Sequence, residues 1–148
     1  MSLIGTRTLH PGAVCAEGTA MGCLSNVKSA LVVEDDFLIA SDIELMLSEI
    51  GVRAATTAAS CAEAFQVLER GGVDFATVDI RLADGRCDSL VQVLEEKGIR
   101  FVYVTASERS ECPWVNAPWV KKPICHEALR AAVFSTFRQD GIPGGEEA

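Results

Sequence analysis

The sequence predicts an α/β fold, a parallel sheet wound on both faces by helices, and three observations predict it. Short apolar runs of strand length alternate with stretches whose apolar residues fall at helical spacing. Cap and turn signals stand at most of the switches. The run Phe75-Ala-Thr-Val-Asp-Ile-Arg-Leu-Ala-Asp-Gly85 delivers one carboxylate, Asp79, to the end of an otherwise apolar strand. Strands of a parallel sheet are covered on both faces, so a charge there is costly unless it has partners.

In chain order, residues 1–27 mix Gly, Thr, Cys and Ala with neither period, and an unstructured or tag-like extension is expected there, with Met21 as an alternative start. The ordered domain is expected over 28–138. Lys28-Ser-Ala-Leu-Val-Val-Glu34 is the first strand, ending in the acids Glu34, Asp35 and Asp36. Asp36 is placed to cap a helix in which Ile39, Ile43, Met46, Leu47 and Ile50 share one face, with Gly51 after it. Val52 to Ala58 is a weaker second strand. Ser60-Cys-Ala-Glu63 has the capping-box pattern and opens a second helix that Gly71-Gly72 stops. The third strand, Asp74 to Asp79, is followed by a turn at Asp84-Gly85. A third helix follows, with Leu90, Val93, Leu94 and Lys97 on one face and Gly98 at its end. Ile99 to Thr105 is the fourth strand. The thirteen residues before Trp119 include Pro113 and Pro118, so the fourth helix is expected to be short, irregular or replaced by a loop. Trp119-Val-Lys-Lys122 is the fifth strand, which Pro123 ends. Leu129, Ala132, Val133, Thr136 and Phe137 mark one face of the last helix, and residues 139–148 are expected to be a flexible tail.

Composition excludes several classes of function. A formal net charge of -8 argues against a nucleic-acid partner, because phosphate backbones are held by clustered Lys and Arg. No apolar run approaches the length of a membrane span. The six cysteines, Cys15, Cys23, Cys61, Cys87, Cys112 and Cys125, form no C-x-x-C pair, which argues against zinc. With no signal-peptide pattern at the N-terminus, reduced thiols in a cytoplasm are the simplest expectation.

In folds of this class ligands sit at the carboxyl ends of the strands. Glu34, Asp35, Asp79, Thr105 and Lys122 all fall at that edge. Converging carboxylates repel one another unless a cation joins them, and oxygen donors with open water positions suit Mg²⁺. Beside such an ion Asp79 is set up to attack a phosphoryl group and form an aspartyl phosphate, with Lys122 and the Thr105 hydroxyl holding phosphoryl oxygens.

These residues, in this order on alternating strands, resemble the receiver domain of two-component response regulators, the CheY-like superfamily, over about residues 28 to 137. Leu31-Val-Val-Glu-Asp-Asp36 is similar to the family's first-strand motif, which makes Glu34 and Asp35 the metal-holding acids. Val78-Asp-Ile-Arg-Leu-Ala-Asp-Gly85 is similar to the phosphoacceptor motif. It makes Asp79 the phosphorylated residue and has Arg81 offer its backbone carbonyl to the metal. Val102-Tyr-Val-Thr-Ala106 carries the switch hydroxyl, Thr105, and Lys121-Lys-Pro-Ile124 the Lys-Pro motif with Lys122. Trp119 stands near the place of the family's switch aromatic, and Ala83 stands where many receivers have proline.

The resemblance implies a flavodoxin-like, doubly wound (βα)5 fold with a five-stranded parallel sheet and an irregular fourth helix. It implies a stand-alone receiver that accepts a phosphoryl group from a sensor histidine kinase or phosphotransfer protein and signals by protein contact to an output protein not named by the sequence. A homodimer is compatible with it. Catalysis is confined to the domain's own phosphorylation and dephosphorylation, so no enzyme with an external substrate is expected. Two rivals are a pseudo-receiver that binds partners without phosphorylation and a phosphatase of the haloacid dehalogenase type. The latter needs an acid two residues after its nucleophile, where this chain has Arg81. Among bland alternatives, Trp114 reads as a local packing anchor and His126 as a surface residue at a helix start.

Overall fold

A computed structural model describes residues 5–8, 27–114 and 116–141, with side chains over 27–114 and 116–137. Among the described residues eight strands and four α-helices follow in the order β1 (Gly5–Thr8), β2 (Ala30–Val33), α1 (Phe37–Glu49), β3 (Ala54–Ala58), α2 (Cys61–Arg70), β4 (Phe75–Val78), β5 (Arg81–Leu82), β6 (Gly85–Arg86), α3 (Asp88–Lys97), β7 (Arg100–Thr105), β8 (Trp119–Lys121) and α4 (His126–Gly141). Six strands form one sheet in the order β1-β3-β2-β4-β7-β8. Its five C-terminal members are mutually parallel.

Alternation along the strands sorts the core into two layers. Ala30, Val32, Phe75, Val102 and Val104 pack with Ile43, Met46 and Leu47 of α1 and Leu129 and Val133 of α4. Their neighbours Leu31, Val33, Ala76, Val78 and Tyr103 pack with Val67 and Leu68 of α2 and Leu90, Val91 and Leu94 of α3. Burial on both faces is why these strands read as continuous apolar runs. Each fully buried aliphatic side chain contributes about 1.5–3 kcal/mol of transfer free energy.

Local signals act as the sequence predicts. The Asp36 carboxylate accepts the Leu38 and Ile39 N–H groups and caps α1. Ser60 Oγ accepts the Glu63 N–H at 3.1 Å, and Glu63 reaches back to the Ala59 N–H at 2.9 Å. Gly98 ends α3 in the left-handed region, φ 72°, which costs glycine little.

Four expectations are corrected. Gly5–Thr8, inside the segment expected to lack structure, pairs antiparallel with β3 from Gly5↔Thr57 to Thr8↔Ala54, so the sheet has six strands. The edge of β3 otherwise presents unpaired N–H and C=O groups, and threonine suits a strand. Val27, the last residue of the expected extension, is buried in the core, and its carbonyl accepts the Arg53 N–H at 3.2 Å; the remaining residues of that extension lie outside the described residues. The loop after Asp79 is a small antiparallel ribbon, Arg81↔Arg86 and Leu82↔Gly85, rather than a simple turn. Val91 takes the inward place assigned to Lys97, which is exposed. Helix α4 continues past Arg138 to Gly141, leaving 142–148 of the expected tail outside the described residues. The fourth helix is indeed irregular: a single 3-10 turn at Arg109–Glu111 replaces it.

Candidate functional site

The parallel strands run in the order β3-β2-β4-β7-β8. Chain order therefore reverses between β2 and β4, and a crevice opens at their carboxyl ends. Val33 and Val78 are register partners, so Glu34 and Asp79, the next residue of each strand, stand side by side. The ends are pinned: the Asp79 N–H donates to the Val33 carbonyl and the Glu34 N–H to the Ala58 carbonyl, both at 3.0 Å. On the other flank Thr105 closes β7, and the Lys122 N–H donates to its carbonyl at 3.0 Å.

Lys122 binds the two halves together. Its Nζ stands 2.7 Å from Asp79 Oδ2 and 2.7 Å from Glu34 Oε1. The Glu34 side chain is 1% exposed and that of Lys122 15%, so the ion pair is largely removed from solvent and its charges are poorly screened. Burial pushes the Glu34 carboxyl up from its ordinary range. The Lys122 hydrogen bond and the Asp36 N–H, which donates to Glu34 Oε2 at 3.0 Å, only partly offset this. For Lys122 burial acts downward, but its bonds to Asp79 and Glu34 prevail and hold it above the usual lysine range.

Glu34, Asp35 and Asp79 each bring a carboxylate oxygen within 4.8 Å of the others, with Asp35 exposed. An all-oxygen donor set with one open side fits a hard cation such as Mg²⁺. Asp79 Oδ1 accepts the Arg81 N–H at 3.2 Å, which aims that carboxylate and starts the β5–β6 ribbon. A cleft of about 350 Å³ lies beside it, lined by Asp79, Arg81, Thr105, Ser107, Glu108 and Glu111.

Thr105 is fully buried, and its Oγ1 accepts the Ser107 N–H at 3.1 Å. Trp119 is half-buried at the start of β8, and its Nε1–H donates to the Ser107 carbonyl at 3.3 Å. The Thr105 hydroxyl and the Trp119 ring thus hold the same turn. The structure brings Glu34, Asp35, Asp79, Thr105 and Lys122 to one edge and ties Trp119 to it through Ser107.

Sequence reasoning missed the outer wall. The Arg81 side chain crosses the cleft, donating through Nε to Ser107 Oγ at 3.2 Å and pairing with Glu111 at 3.4 Å. Lys121 pairs with Glu108 beside it. Arg109 donates to the Ala117 carbonyl at 2.8 Å, and the Tyr103 hydroxyl accepts the Trp114 N–H at 3.0 Å. These contacts hold the loop that stands in for a helix. No sequence period announces them, because each joins residues eight or more positions apart.

The chain has the fold of the response regulator receiver domains. Solved structures similar to it include SdrG from Sphingomonas melonis Fr1, 25% identical, covering 77% of this chain and 99% of that one with a TM-score of 0.68. A CheY-like response regulator receiver domain from Methylobacillus flagellatus is 24% identical, covering 74% and 98% with a TM-score of 0.63. The response regulator PhyR from Brucella abortus is 24% identical with a TM-score of 0.71. That match covers 89% of this chain and 56% of PhyR, so the chain spans little more than half of that protein's length. Neither a protein-family model nor a curated protein matches the sequence.

Proposed function

We propose that the protein is a phosphorylation-controlled signalling module whose phosphoacceptor is Asp79. The observation that carries this is the position of Lys122 Nζ, 2.7 Å from both Asp79 and Glu34 at the crevice where the chain order reverses. An Asp79 oxygen attacks phosphorus as the bond from phosphorus to the donor's imidazole nitrogen, or to an acyl oxygen, breaks. Lys122 then exchanges its contact with the free carboxylate for one to a phosphoryl oxygen, and the Thr105 hydroxyl donates to another. Glu34, Asp35 and Asp79, with the Arg81 carbonyl, would hold Mg²⁺, which supplies neutralising charge to the incoming phosphoryl group.

A Thr105 hydroxyl drawn toward a phosphoryl oxygen carries with it the Ser107 N–H that its oxygen accepts. Trp119 donates to the same residue's carbonyl, so the movement reaches the ring. Phosphorylation is in this way reported to the loop that replaces the fourth helix. The donor is a sensor histidine kinase or phosphotransfer protein, the output is contact with another protein or a second copy of this chain, and the setting is the cytoplasm. Among the described residues no helix is long and apolar enough to cross a membrane. Catalysis is limited to the domain's own phosphoryl chemistry. The phosphatase alternative is disfavoured by the chemistry of Arg81: its guanidinium is engaged with Ser107 and Glu111 and supplies no acid.

The replaced fourth helix favours a second reading, partner binding without phosphorylation. Beryllium fluoride, which mimics a phosphoryl group on a carboxylate, separates the two. With Mg²⁺ it is expected to change the tryptophan fluorescence of the wild type, and Trp119→Phe is expected to remove the change. A wild type that stays silent with Mg²⁺ and beryllium fluoride contradicts phosphoacceptance and leaves the pseudo-receiver.

A further inference from the structure

At the amino ends of β7 and β8, away from the acidic cleft, a groove of about 270 Å³ opens between the end of α3, the loop before β8 and the second half of α4. Phe101, Pro113, Trp114 and Pro118 supply apolar surface, and Glu95 and Arg100 supply the charges. Main-chain contacts fix its wall. The Trp114 N–H donates to the Tyr103 hydroxyl at 3.0 Å, the Ala117 N–H to the Trp114 carbonyl at 3.3 Å, and the Tyr103 N–H to the Pro118 carbonyl at 2.9 Å. Trp114 is held on the groove by this backbone, yet 37% of it stays exposed. On the side of α4 the Arg100 guanidinium lies over the Phe137 ring, 4.9 Å from its centroid. A concave site with an aromatic ring and a few charges is suited to a short apolar segment.

We propose that this groove is the docking site of the chain's own segment 142–148, with Ile142 and Pro143 against Trp114 and the acids Glu146 and Glu147 toward Arg100. Reach supports it. Thr136 lines the groove and α4 ends at Gly141, five residues further on, or about 7.5 Å along the helix axis. Seven residues span about 23 Å when extended, so the segment can turn back over the groove with length to spare. Pro143 bars the helix from continuing, and Gly141, Gly144 and Gly145 permit the turns. Order along the segment supports it too. The bulkier apolar residues come first, nearest the groove, and the acids follow. Arg100 attracts those acids while Glu95 repels them, so Ile142 and Pro143 supply the hold and the charges set the orientation. Tethered to α4, the segment has a high effective concentration and competes with any partner for the Trp114 face. This docking does not depend on phosphorylation of Asp79.

Nuclear magnetic resonance on the isotope-labelled full chain, without Mg²⁺ or a phosphoryl donor, tests it. Nuclear Overhauser contacts are expected from the Ile142 methyl groups to the Trp114 indole. In a mixture of labelled and unlabelled chains they are expected within one molecule and not between two. Ile142→Ser is expected to shift the Trp114 indole resonance and the amides of Phe101 and Thr136, and to leave those of Glu34 and Asp79 in place. The chain has two tryptophans, so Trp119→Phe isolates the emission of Trp114. In that background acrylamide quenching is expected to rise on adding Ile142→Ser, and to rise less on adding Glu146→Gln with Glu147→Gln. Absence of contacts between 142–148 and Trp114 would overturn the proposal, as would quenching that Ile142→Ser leaves unchanged. Contacts found only between molecules would overturn it as well and assign the groove to a second copy.

Discussion

At the scale of single residues, the site is governed by Lys122. It is the cation that Glu34 and Asp79 share, so Lys122→Met leaves two neighbouring, largely buried carboxylates without a counter-charge. Removing one partner of a buried pair costs about 3–5 kcal/mol. Urea denaturation is expected to show a loss of that order, partly restored by Mg²⁺. Tyr103 offers a second residue-scale test, because it is the chain's single tyrosine. Burial pushes its phenol from an ordinary value of 10.0 up to about 12, the effect of the Trp114 N–H notwithstanding. The phenol is therefore neutral in the fold while it already ionises in the unfolded chain. Stability from this group is full below pH 10.0, declines above it, and is gone beyond about 12. The phenolate absorbance of the native protein is expected to rise near the upper value, and a midpoint at the lower one would contradict this burial.

Among the elements, those whose causes are local are also those legible in the sequence. Asp36, Ser60 and Gly98 act within four residues of themselves, and each does what its type predicts. Ser60→Ala is expected to cost about 1 kcal/mol through the lost cap on α2. The face of α4 was legible too: Leu129 and Val133 are fully buried at the predicted spacing. Leu129→Ala is expected to cost about 2–5 kcal/mol by denaturant unfolding. Elements that depend on distant partners were not legible. Gly5–Thr8 is too short to show a period, and the β3 edge makes it a strand. The β5–β6 ribbon arises because Asp79 holds the Arg81 N–H and Asp84 reaches Cys61, neither of which is encoded in spacing. The loop before β8 was read from its prolines as irregular, but its anchor on Tyr103 comes from tertiary packing.

For the whole molecule, topology turns scattered residues into a site. Five parallel strands with one reversal of order place Glu34 beside Asp79 and flank them with Thr105 and Lys122. A ligand that binds only the folded state stabilises it, by about 2.7 kcal/mol at a concentration 100 times its Kd. Mg²⁺ is therefore expected to raise the Tm of the wild type and not that of Asp35→Asn, a substitution at an exposed position. The central claim, phosphorylation on Asp79, is tested most directly by intact mass after incubation with acetyl phosphate. With Mg²⁺ the wild type is expected to gain one phosphoryl group, which chelation of the metal prevents and Asp79→Asn abolishes. No gain in the wild type, or an equal gain in Asp79→Asn, would contradict it.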